Sequence, residues 1–109
     1  MSLDVRLTAV RTMTVDLFHE NITHNLTRMA REAGIYQHLW RPEEIGITTA
    51  GRLIEPLTAG LALLRSDPER FRKLNPSNGW GSYEGLIEFV ESYLRACEEN
   101  KDAAVEADR

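Results

Sequence analysis

The chain has a single cysteine, Cys97, so no intrachain disulfide can form. That suits a reducing compartment, and a cytoplasmic setting is expected. Its three histidines are His19, His24 and His38. They do not fall at zinc-ligand spacings, and no second cysteine or His-Glu-x-x-His helix supports them. No metal and no cofactor are expected. No run of residues approaches the ~18 apolar positions of a membrane span. The first residues lack a basic stretch leading into an apolar one, so neither membrane contact nor a signal peptide is expected. Asn21-Ile22-Thr23 and Asn25-Leu26-Thr27 match the glycosylation acceptor pattern, which without a secretory signal reads as coincidence. Positive charge is in deficit, with 13 Lys and Arg against 17 Asp and Glu and a net charge of −4. That balance argues against a general nucleic-acid or anionic-membrane binder, which needs a cationic footprint, although a local basic patch survives the argument. The cations that exist concentrate mid-chain, between Arg28 and Lys73.

Nucleophilic machinery is equally scarce. Cys97 sits on an apolar helical stripe and reads as a small buried hydrophobe. Ser66, Ser77, Ser82 and Ser92 lack a nucleophile-elbow context. Glu43/Glu44 and Glu98/Glu99 are adjacent in sequence, so each pair points apart instead of converging. The catalytic residues of an enzyme are not identifiable here.

The 109 residues fit one domain spanning 1–109, long enough to bury a core without staples. Leu3, Val5, Leu7 and Ala9 alternate with Asp4, Arg6 and Thr8, and Met13, Val15 and Leu17 resume the alternation. A period of two predicts strand. The stretch is long for one strand, so a break near Arg11 is expected. From Asn21 to Ala33 the period changes. Ile22, Leu26, Met29, Ala30 and Ala33 then share one face of a helix stopped by Gly34.

Further on, Ile35–Trp40 predicts a short helical turn. Pro42-Glu43-Glu44 predicts another, limited by Gly46. Thr48 to Arg65 is amphipathic, with a kink or restart at Pro56. Asp67-Pro68 opens a short helix ending near Leu74. Ser82 caps a last long helix whose stripe is Tyr83, Leu86, Ile87, Val90, Leu94 and Cys97. Residues 103–107 suggest a final strand pairing with the N-terminal strand region. The fold class is α+β: a small antiparallel sheet packed on three to four helices, mostly helical.

Three tracts carry polar and aromatic chemistry that core packing does not demand: residues 21–27, 40–44 and 75–81. On the first, Asn25 and Arg28 beside a helix N-terminus suit an anion. On the second, Trp40 and Arg41 offer a stacking surface with a guanidinium, although large aromatics are usually buried and that favours Trp40 closing the core. The third is a Gly-Trp-Gly loop, a weak signal unless it lies against the first tract. The expected ligand-binding set is Asn21, His24, Asn25, Arg28, Trp40, Arg41, Asn78 and Trp80.

These residues support a small binding module whose polar-aromatic groove holds an anionic or nucleotide-like ligand, or a peptide. One alternative is a small hydrolase or transferase with His24 as general base. Another is an assembly protein that forms a homodimer through an edge strand at Leu3–Ala9.

The run Asn21-Ile22-Thr23-His24-Asn25-Leu26 is followed by Ala33-Gly34-Ile35-Tyr36, by Leu39-Trp40-Arg41-Pro42-Glu43-Glu44 and by Asn78-Gly79-Trp80-Gly81. From Asn21 to Arg109 this pattern resembles small uncharacterised proteins encoded by bacteria and their phages. The resemblance implies a cytoplasmic bacterial or phage setting, and brings no activity and no catalytic residues with it. Leu3–Thr12 lies outside it.

Overall fold

Leu3, Val5 and Leu7 are fully buried, and they set the inner face of the sheet. A computed structural model of the chain describes residues 1–10 and 14–109. The alternating start is strand β1, Ser2–Val10, followed by β2, Thr14–Thr23. A third strand, β3, runs Ala104–Asp108. The order is β2-β1-β3, with both pairings antiparallel. Leu3 faces Ile22, Leu7 faces Phe18, and Val5 faces Ala107. Between Leu7 and Thr8 the β2 partner jumps from Phe18 to Asp16. Leu17 is therefore the extra residue of a bulge, and both Leu17 and Phe18 pack against the core.

This topology corrects two expectations. β1 is the central strand, and its residues Asp4–Thr8 have a partner on each side, so it is not the edge strand expected to form a dimer. Asn21, Ile22 and Thr23 belong to the end of β2, and the helical turn starts at His24. Ile22 reaches the core from the strand by facing Leu3, so it fits the helical stripe only by coincidence of spacing. The break near Arg11 and the position of Met13 lie outside the described residues. Val15, expected to face inward, is 38% exposed.

The helical part builds in short steps. Thr23 Oγ1 accepts from Asn25 N–H at 3.2 Å and opens a 3₁₀ turn, His24–Leu26. It continues into α1, Thr27–Glu32, and then α2, Tyr36–Trp40. Pro42–Ile45 is a further 3₁₀ turn closed at Gly46. The segment around Pro56 restarts instead of kinking: a 3₁₀ turn at Ala50–Leu53 gives way to α3, Ile54–Ser66. Pro56 then lies in the first turn of α3, where a backbone N–H has no partner to lose. Asp67 caps α4, Pro68–Arg72, and Ser82 caps α5, Tyr83–Glu99. Five α-helices form among the described residues where three or four were expected, because α2 and α4 are only 5 residues each.

α5 packs against β2 and α3. Its buried stripe is wider than the spacing suggested: Phe89 and Tyr93 are core residues, while Ile87 and Leu94 are only half-buried. Phe18 of β2 stacks on Tyr93 with centroids 5.8 Å apart. The fold is α+β and mostly helical. No helix among the described residues is long and apolar enough to cross a membrane.

Candidate functional site

The three polar-aromatic tracts do meet. Asn25 Nδ2 donates to the Trp80 carbonyl at 3.3 Å. Gly81 presses against the first tract, where a Cβ would lie 2.8 Å from Thr23 Cγ2 and 3.0 Å from Leu26 Cγ. The Trp40 indole N–H donates to His24 Nδ1 at 2.7 Å.

What meets, however, is largely spent on internal bonds. Trp40 is only 1% exposed, so it closes the core. Asn21 projects from the outer face of the sheet and donates to Ser2 Oγ and Asp4 Oδ1 at 2.8 and 3.1 Å. Asn78 Oδ1 accepts from Trp80 N–H at 3.0 Å and shapes its own loop. The backbone amides of the expected anion site are occupied as well: His24 N–H bonds the Met1 carbonyl, and Asn25 N–H bonds Thr23. Arg28 is exposed and joins no ion pair among the described residues. Trp80 is 70% exposed.

The His24 geometry also speaks to general-base chemistry. An indole N–H can only donate, so Nδ1 must be the acceptor. A neutral ring then carries its proton on Nε2. Neither nitrogen has a free lone pair with which to take a substrate proton.

A different face of the same residues is open. Tyr36 stacks on Trp40 with centroids 5.7 Å apart and planes within 16°. The Arg31 guanidinium also lies over the Tyr36 ring, 4.1 Å from its centroid. Arg41 Nε donates to the Tyr36 hydroxyl at 3.1 Å, and Arg41 Nη1 pairs with Glu44 at 2.7 Å. With Gly34, Gln37 and His38 these residues line a cleft of about 580 Å³. Three elements build it: Arg31 from α1, Tyr36 to His38 from α2, and Arg41 and Glu44 from the segment after α2. Gly34 makes the turn that lets α1 and α2 face the same space.

The cleft carries two guanidinium groups against one carboxylate. Tyr36 and then Glu44 hold the Arg41 pKa above its ordinary value. Burial pushes the His38 imidazole pKa down, with the Gly34 backbone opposing, so its neutral form is favoured. Arg31 has no carboxylate partner among the described residues.

No protein-family model, no curated protein and no solved structure matches the chain.

Of the expected ligand residues, only Arg41 lines the cleft. Arg31, Tyr36 and Gln37 line the cleft but stand outside the expected set, because Gly34 interrupts the helical spacing that would have aligned them. A signal did exist in the density of Arg, Tyr, Gln and His between residues 31 and 41. Among the described residues no three His, Cys, Asp or Glu side chains gather as a metal site would require.

Proposed function

We propose that the chain is a non-enzymatic binding module and that the Arg31–Tyr36–Arg41 cleft holds a small anionic ligand of nucleotide-like form. One observation carries this: the Arg31 guanidinium lies over the Tyr36 ring, 4.1 Å from its centroid, with no ion-pair partner among the described residues. A guanidinium stacked in this way keeps its N–H edge free for bidentate contact with phosphate or carboxylate. Arg41 is fixed from the Tyr36 hydroxyl and adds a second donor edge. Gln37 supplies an amide that both donates and accepts, which suits the edge of a base. The same reading includes the cytoplasmic bacterial or phage setting that the resemblance implies, and a free, buried Cys97 accords with it.

The test is calorimetric titration with a nucleoside monophosphate, with inorganic phosphate as the minimal probe. Saturable heat that weakens with salt is expected. Arg31→Ala and Arg41→Ala should each weaken it about tenfold or more, the scale of one lost charge-assisted bond. Tyr36→Phe keeps the stack while freeing Arg41, and a smaller loss is expected. Absence of heat with both probes, or full affinity in Arg31→Ala, overturns the proposal.

A further inference from the structure

We propose that the outer edge of β2, together with the cleft between β2 and α5, docks an extended partner segment bearing lysine or arginine. This surface is separate from the anion cleft, and its argument begins with the sheet register.

Val105 N–H donates to the Thr48 carbonyl at 3.0 Å, so the main chain of Val105 faces away from β1. In an antiparallel ladder each residue sends its N–H and C=O to the same side, and neighbours alternate. Ala104, Glu106 and Asp108 therefore face β1, and their partners Thr8, Arg6 and Asp4 face β3. Leu3, Val5 and Leu7 must then face β2, pairing with Ile22, Glu20 and Phe18. The main-chain groups of His19 and Asn21 are left pointing outward, where the sheet has no further strand among the described residues. The Asn21 N–H makes only a long 3.4 Å contact to the side chain of its own neighbour, Glu20. By contrast, the start of the β3 edge is covered, through Ala50 to Ala103 and Val105 to Thr48.

Beside this open edge lies a cleft of about 330 Å³. Ile22 and Phe89, 7% and 4% exposed, form its floor. Glu20, Glu88 and Ser92 form its walls, and among the described residues no lysine or arginine lines it. Neither Glu20 nor Glu88 joins an ion pair among the described residues. A strand added to β2 would sit about 4.8 Å away and send alternate side chains over this cleft. A lysine or arginine stem would cover Phe89 and Ile22 while its charged head reached the two carboxylates. A second copy of the chain fits poorly, because β2-to-β2 pairing would bring Glu20 and Glu88 against their own counterparts.

The experiment uses the full chain and two synthetic hexapeptides, one alternating lysine with valine and the other glutamate with valine. Binding is followed residue by residue in the amide NMR spectrum. With the lysine peptide, the His19 and Asn21 amide signals are expected to shift and their hydrogen exchange to slow. The glutamate peptide should do neither. The Glu20→Gln/Glu88→Gln double variant alters exposed side chains, and its unchanged spectrum elsewhere verifies the fold. It should bind the lysine peptide about tenfold or more weakly. The proposal is overturned if the lysine peptide fails to bind at millimolar concentration, binds without moving His19 and Asn21, or binds the double variant equally well. A concentration-dependent dimer through β2 in the unmodified chain would overturn it too, by assigning the edge to self-pairing.

Discussion

Trp40 and His24 are joined by a 2.7 Å hydrogen bond between the indole N–H and Nδ1, linking the turn after β2 to the end of α2. Trp40 is almost fully buried, so its N–H has no water to replace a lost partner. His24→Ala should therefore destabilise the fold by about 1–3 kcal/mol, the cost of an orphaned buried donor. Adding Trp40→Phe should cost less in that background than in the unmodified chain, because the orphan is removed with the indole. Urea denaturation of the four proteins in this cycle checks the coupling. Purely additive losses would show that the bond contributes nothing.

Gly60 lies mid-helix in α3, where alanine ordinarily stabilises by about 1 kcal/mol. Here the sign should reverse. A Cβ on Gly60 would collide with Ile35 Cγ2, and Ile35 is buried with a stiff, branched side chain. Gly60→Ala is expected to cost about 1–3 kcal/mol through overpacking. Combining it with Ile35→Ala should recover part of that loss relative to the sum of the single changes. A Gly60→Ala protein more stable than the parent in urea would contradict the close packing of α3 on this turn.

Asp4 is held below its ordinary pKa of 3.8, first by the hydrogen bond with His19 and then by that with Asn21. The lowered value means the folded state favours the carboxylate. Its contribution is present above the ordinary value and is lost as pH falls through the lower, folded one. Asp4 is solvent-accessible and its bonds are screened, so the effect should be modest. Urea midpoints measured from pH 6 downward, an interval of about 4 units, should fall less steeply below pH ~4 in Asp4→Asn than in the parent. Identical acid limbs would show that the Asp4 cluster is thermodynamically silent.

The Cys97 thiol is buried, and burial pushes its pKa up to about 12. The thiolate is the reactive form, so almost none is available at neutral pH. A disulfide reagent should label the native protein only as fast as it opens, and subdenaturing urea should accelerate labelling. Prompt stoichiometric labelling in plain buffer would place the thiol at the surface.

Local pattern was enough to read β1, because Leu3, Val5 and Leu7 alternate cleanly with polar residues. The caps at Asp67 and Ser82 were legible for the same reason: a short polar side chain directly before a helix has few other uses. Residues 21–23 were misread because Ile22 satisfies a strand face and a helical stripe at once. Only its nonlocal partner, Leu3, decides between them. Strand order was also out of reach, since nothing in residues 3–9 reveals that β3 will occupy their second side. The polar tracts were visible as unusual chemistry, but whether they meet depends on nonlocal packing that the sequence does not show. The sequence did not show that Asn25, His24 and Trp40 would spend their hydrogen bonds within the fold, leaving Arg31 and Tyr36 to face the open cleft.

β1 takes one neighbour from the segment that follows it and the other from far along the chain. Arg6 and Asp108, which meet across the second pairing, are 102 positions apart. During translation β1 and β2 can therefore form a hairpin long before the sheet has its third strand. Until Ala104–Asp108 has been synthesised, Asp4, Arg6 and Thr8 expose a row of unsatisfied amides and carbonyls to other nascent chains. Closing so long a loop adds little further entropy per residue. The exposed interval is governed by the pace of the ribosome, and slower synthesis lengthens the time in which this hairpin can pair with the wrong strand.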